Sequence, residues 1–234
     1  MPAPTAGFAA QLDQIGKTLV EQSHRVAKLF EAACDAVFAM DVQAARAVVD
    51  ADDEIDRVDI EIEARTVALL VEVASRAEPV PPAELRRMLV IVKVNNELER
   101  TADSATAIAS LAPTFAGIGV ALPDTLRVLT NSVAGILRDI TRSIEKRDPK
   151  LAKLVLDAED TVEAFKSQLL RDAERRIAAG EVSVDHAFAV HELTNQCERI
   201  ADHATNIAEQ VIYATTGAIV RHTEAGWVEL PRSS

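Results

Sequence analysis

The chain has 234 residues, enough to bury a substantial core as one large domain or two small ones. Only 8 glycines and 3% aromatic residues, against abundant Ala, Val, Leu, Glu and Arg, favour helices over sheets. A net charge of −12 gives a mean field that repels nucleic acid and anionic lipid and attracts cations or a basic partner surface.

The opening MPAPTAGFAAQLDQ lacks a basic stretch followed by an apolar one, so no secretion signal is expected. A first helix is predicted over Phe8–Ala39, with Leu12, Ile15, Leu19, Val26, Leu29 and Val37 at helical spacing. Asp41 is placed to cap a second helix, Val42–Ala77, whose apolar stripe is Val48, Ala51, Ile55, Val58, Ile62 and Leu69. The turn Glu78–Pro82 ends it, and a third helix runs from Pro82 to Leu111. Ser104 to Pro123 has no charge and is long enough to span a bilayer. Pro113, Gly117, Gly119 and its many alanines instead make it a helix end plus a linker. A first-turn Pro123 opens the fourth helix, to Lys146, and Asp148 with Pro149 opens the fifth, to Gly180. Ser183 or Asp185 begins the sixth, which fades by Thr216, and a loosely attached polar tail follows. Cys34 and Cys197 have no motif spacing and are expected as reduced, buried thiols of a cytoplasmic protein.

The chain repeats itself. NNELERTADSATAIA, Asn95 to Ala109, returns 99 residues later as TNQCERIADHATNIA, Thr194 to Ala208, with nine of fifteen positions identical. VVDADDEID, Val48 to Asp56, returns 107 residues later as VLDAEDTVE, Val155 to Glu163, with Asp50/Asp157, Asp52/Glu159, Asp53/Asp160 and Asp56/Glu163 acid on acid. The fold expected is therefore all-α, six helices in two sets of three. Residues 1–112 form the first repeat, 113–122 a linker, 123–216 the second repeat and 217–234 the tail.

Helical geometry decides what the repeated acids can do. With Leu98 at zero and about 100° per residue, Leu98, Ala102, Ala105 and Ala109 form a narrow apolar stripe. Glu99 and Asp103 fall beside it, at about 100° and 140°. Glu198/Asp202 repeats that pair. Asp52, Asp56, Asp59 and Glu63 make a row on the second helix, of which the fifth keeps Glu159 and Glu163 before Lys166. Like charges four apart cost helix stability, yet both copies keep them, along with Arg100/Arg199 and Asn96/Asn195. If the pairs on neighbouring helices meet, four carboxylates converge; either their pKa values rise or a cation sits among them. An all-oxygen set suits Mg²⁺, Ca²⁺, Mn²⁺ or iron better than structural zinc. His203 lies well around the helix from Glu198/Asp202 and is a poor co-ligand, whereas Asn206 is nearer. Their first-repeat counterparts are Ser104 and Ala107. The second Glu-x-x-His of a di-iron bundle is missing, as are a phosphate loop and the hydrolase and zincin motifs, so no catalysis is expected.

ERIADHATNIAEQVIY followed by TTGAIVRH, with ERTADSATAIA and DADDEID, resembles the PhoU family of phosphate-regulatory proteins, from the first helix to about His222. The resemblance implies two pseudo-symmetric three-helix bundles in a cytoplasmic, often dimeric protein without catalytic activity. It implies docking to the ATPase of the phosphate ABC transporter and to a sensor histidine kinase. Through that docking the phosphate-starvation response would be suppressed and uptake restrained when phosphate is plentiful. No nucleic-acid partner and no membrane insertion are expected. The family's metal motifs carry over to Asp52/Asp56, Glu99/Asp103, Glu159/Glu163 and Glu198/Asp202, with a divalent or trivalent ion (Mg, Mn or Fe) as cofactor. Asn206, His203, Arg100 and Arg199 are candidates for further metal or partner contacts. Glu163 departs from the family's Asp, and Ser104 and Ala107 from its His and Asn. Two other readings remain open: a carboxylate bundle for metal storage or metal catalysis, and a metal-free helical adaptor.

Overall fold

The computed structural model describes residues 7–75, 80–223 and 226–230. The side chains of Glu159, Asp160 and most of the C-terminal hairpin lie outside the described residues. Seven helices run in chain order: α1 Phe8–Ala39, α2 Val42–Ala74, α3 Pro82–Ala109, α4 Ala112–Ile118, α5 Asp124–Lys146, α6 Pro149–Ala178 and α7 Val184–Thr216. A hairpin of β1 Ile219–Thr223 and β2 Gly226–Leu230 follows, pairing Ile219 with Leu230 and Thr223 with Gly226.

The helix starts follow from side-chain chemistry. Asp41 accepts from the N–H of Gln43 and Ala44 at 2.9 and 3.0 Å, satisfying two of the free donors at the start of α2. Asp148 accepts from Lys150 N–H at 2.8 Å ahead of Pro149. Ser183, rather than Asp185, caps α7 by accepting from His186 N–H at 3.1 Å. Gly217 ends α7 with a left-handed φ of 74°, a conformation without steric cost for glycine, and the chain turns back into β1.

Two three-helix sets result, α1–α2–α3 and α5–α6–α7, joined where α3 packs on α7 and α1 on α5. One continuous core runs through both. The predicted stripe is at its centre: Leu98, Ala102, Ala105 and Ala109 are buried, as are Cys197, Ala201, Ala204 and Ala208 of the second copy. The alanines let neighbouring helices approach closely. Buried Gln22 reaches across from α1 and donates to the Ile55 carbonyl of α2 at 2.7 Å. Cys34 and Cys197 are buried free thiols, and burial pushes the Cys197 thiol up to about 12.

Two segments differ from the sequence expectation. The stretch after α3 forms α4, because Phe115 is fully buried and packs edge-on against His186 at 6.0 Å. The stretch beyond Gly217, expected as a loosely attached tail, is anchored instead. Val220 is fully buried, and Arg221 donates to Glu209 of α7 at 2.6 Å. No described helix is long and apolar enough to cross a membrane. The Glu78–Pro79 part of the predicted turn lies outside the described residues.

Candidate metal centre

On α3 the flanks of the buried stripe have different occupants. Glu99 and Asp103 lie on the flank that faces α2, and Glu97 on the opposite flank, which faces α7.

Toward α2 the carboxylates converge. Burial raises the Asp52 carboxyl from 3.8 to about 6, and the charges of Asp56, Asp103 and Asp53 add to the rise. Asp59 is raised by burial and then by Glu63 and Asp56. Glu99 is raised by burial and then by Asp103, Asp59 and Asp56, with Arg100 opposing. Each shift is a carboxylate losing water while like charges press on it, from its own helix for Asp59 and from both helices for Asp52 and Glu99. Oδ1 of Asp52 is buried without a hydrogen-bond partner. The Asn95 side-chain amide donates to the Asp59 backbone carbonyl at 3.0 Å and to Asp59 Oδ1 at 2.6 Å, fixing the aspartate against α3. Asp56, Asp103 and Arg100 are exposed at the rim.

An oxygen-preferring cation fits this group. It would give the orphaned Asp52 oxygen a partner and offset charges that now repel. Among the described residues no three His, Cys, Asp or Glu side chains already stand as a ready ligand shell. A cation would therefore draw Asp52, Asp56, Asp59, Glu99 and Asp103 inward, and its role would be electrostatic: to bind α2 to α3.

The second repeat is built differently. Lys166 Nζ on α6 donates to Glu198 Oε2 on α7, so that carboxylate already has a cation. Glu163 and Asp202 are exposed, and the side chain of Glu159 lies outside the described residues. Arg199 is exposed and donates to Gln196 at 3.5 Å. These acids do not fit a metal as they stand, because an ammonium occupies the place a metal would take beside Glu198.

His203 and Asn206 belong to neither acid group. His203 Nδ1 lies 2.7 Å from Glu97 Oε2, and Asn206 donates to the same oxygen at 3.1 Å. This seam joins α3 of one repeat to α7 of the other. Burial disfavours the Glu97 charge, but the hydrogen bonds from His203 and Asn206 outweigh it and hold the carboxyl below its ordinary range. The pseudo-symmetric seam is not repeated: Gln196, the counterpart of Glu97, turns back to Glu192 at 2.7 Å, and Ser104 Oγ is buried without a partner. Glu97 escaped the sequence comparison because it is not duplicated. His203 at about −120° on its helix was the available signal, since it matches Glu97 at about −100° on the other.

A helical chain duplicated as two three-helix sets, with acids on the second and third helix of each, defines the class: a two-repeat carboxylate-bearing helical bundle. The PhoU domain model matches residues 19–112 and again 126–211, and the chain belongs to the PhoU family. It is 26% identical over 212 residues to a phosphate-specific transport system accessory protein, PhoU homolog 1, of Thermotoga maritima, covering 90% of this chain and 89% of that one. It is 32% identical over 171 residues to the PhoU homolog of Zymomonas mobilis, covering 73% and 70%. The crystal structure of PhoU from Pseudomonas aeruginosa superposes with a TM-score of 0.82 at 26% identity, over 90% of this chain and 99% of that one. PhoU from Streptococcus pneumoniae, at 18% identity, shares the fold with a TM-score of 0.83 over 92% and 99%.

Proposed function

We propose that this protein is a non-catalytic regulator of phosphate uptake and of the phosphate-starvation response. It acts in the cytoplasm by docking to the ATPase of the phosphate ABC transporter and to a sensor histidine kinase. The observation that carries this reading is the double PhoU match, whose relatives are named accessory proteins of phosphate transport. The non-catalytic part of the reading is supported by the acids, which sit on helix flanks, and by the sequence, which carries no phosphate-loop motif. A divalent cation such as Mg²⁺ or Mn²⁺, or iron, held by Asp52, Asp56, Asp59, Glu99 and Asp103, would stiffen the first repeat.

The test is alkaline phosphatase output in a deletion strain of the source organism grown in excess phosphate. Output should be high, and the intact gene should return it to low. Output that stays low, in a strain shown to lack any second copy of the gene, would overturn the regulatory reading.

A further inference from the structure

The two repeats meet their acids with different partners, and one residue makes the difference. At the shift of 107 that aligns α2 with α6, Asp59 corresponds to Lys166. At the shift of 99 that aligns α3 with α7, Glu99 corresponds to Glu198. The structure brings the same two positions face to face in both copies. In the first, Asp59 is close enough for its charge to act on Glu99. In the second, Lys166 donates directly to Glu198. A single spot on the duplicated scaffold therefore sets carboxylate against carboxylate in one copy and ammonium against carboxylate in the other.

We infer that Lys166 is a built-in counter-ion that takes the place of metal in the second repeat, so that a divalent cation is held by the first repeat alone. The ammonium is partly covered, as is Glu198, with 23% and 33% of the side chains exposed. A cation entering there would have to displace a charge-assisted hydrogen bond and would then face the lysine's own charge. Leu170 also stands where the first repeat has Glu63, so the α6 row is short by two acids. Among the described residues of the first repeat no cationic side chain is seen donating to the site: Arg100, whose charge acts on Glu99, is exposed at its rim, and the buried Asp52 oxygen lacks a partner. The family position has thus been split into a metal-dependent copy and a self-neutralised one. This rests on the metal reading of the first repeat proposed above.

The test uses the full chain, stripped with chelator, loaded with Mn²⁺ and dialysed, with retained manganese measured by mass spectrometry and melting followed by circular dichroism. Wild type should hold manganese. Asp59→Lys, which copies the second repeat into the first, should lose it while its stripped form melts no lower than stripped wild type. Glu198→Gln should retain manganese at the wild-type level, and Lys166→Asp should hold more than wild type. Should Lys166→Asp fail to fold, Lys166→Met serves: its stripped form should melt below wild type, with manganese content unchanged. Partial loss of manganese in Glu198→Gln, with wild type loaded, would show that the second repeat holds metal as well, overturning the inference while the metal reading of the first repeat stands; complete loss would overturn both. No manganese in either wild type or Lys166→Asp would overturn both. Manganese in Lys166→Asp alone would sink the metal reading of the first repeat and uphold the role of Lys166.

Discussion

Glu97 shows how much one unduplicated residue decides. It is partly buried, with 15% of its side chain exposed, charged, and held by His203 and Asn206 across the seam between repeats. Its carboxyl is lowered in the fold from 4.5, so its stabilising contribution is present above 4.5 and is lost as pH falls through its lower folded value. Glu97→Gln keeps the shape and removes the charge. At neutral pH it should cost about 1.5–3 kcal/mol, the worth of a charge-assisted hydrogen bond, seen as a lower urea midpoint. The gap between variant and wild type should narrow as the pH is brought below 4.5. A gap that stays constant from neutral to acid pH would show that the seam does not depend on the Glu97 charge. Asp52 behaves oppositely: its carboxyl is raised to about 6, so its share of stability is full below 3.8 and is lost as pH rises through 6. One residue holds the repeats together when ionised; the other strains its helix pair when ionised, a strain that a bound cation would relieve.

The helices themselves were largely legible, and for local reasons. Asp41, Asp148 and Ser183 cap where short polar side chains before an apolar period should. The alanine stripe on α3 was placed correctly because a period of 3.6 leaves few choices once Leu98 is set inward. The acids of the first repeat were placed by the same angles, and the structure brings Glu99 and Asp103 to Asp52, Asp56 and Asp59. What sequence could not reveal depended on partners distant in the chain. Phe115 earns a helix turn only by burying itself against His186, and Val220 makes a strand only because α7 offers it a covered surface. Lys166 was visible as a break in an acidic row, but its pairing with Glu198 needed the fold. The stripe also makes a prediction at this scale. Ala105 has no exposed surface, so Ala105→Leu adds three carbons where neighbouring helices already touch. It should destabilise by about 1–3 kcal/mol through overpacking, read as a lowered urea midpoint with the helical spectrum retained. A neutral effect would show that the helices around α3 have room to move apart.

At the scale of the molecule the duplication invites the idea of two independent domains, and the packing argues against it. α3 presses on α7 and α1 on α5, and a single apolar core runs through both sets. Polar links cross the same boundary. Thr141 of α5 reaches the Ser23 carbonyl of α1 at 3.5 Å, and Asp13 of α1 accepts from Arg147, past α5, at 3.4 Å. The exposed pair among these adds little, since salt and water screen it. The seam's strength lies in the buried apolar faces and in Glu97. Neither repeat can unfold without uncovering the apolar face of the other, which couples them thermodynamically. Urea unfolding followed by circular dichroism should therefore show one transition, with a slope appropriate to the surface of the whole chain rather than half of it. Two transitions, or a slope near half that expected, would mean that the repeats unfold separately. In that case a cation bound in the first repeat would stabilise that repeat alone. With one transition, the same cation would stabilise every helix at once, so that metal bound at α2 and α3 would be felt as far away as α6.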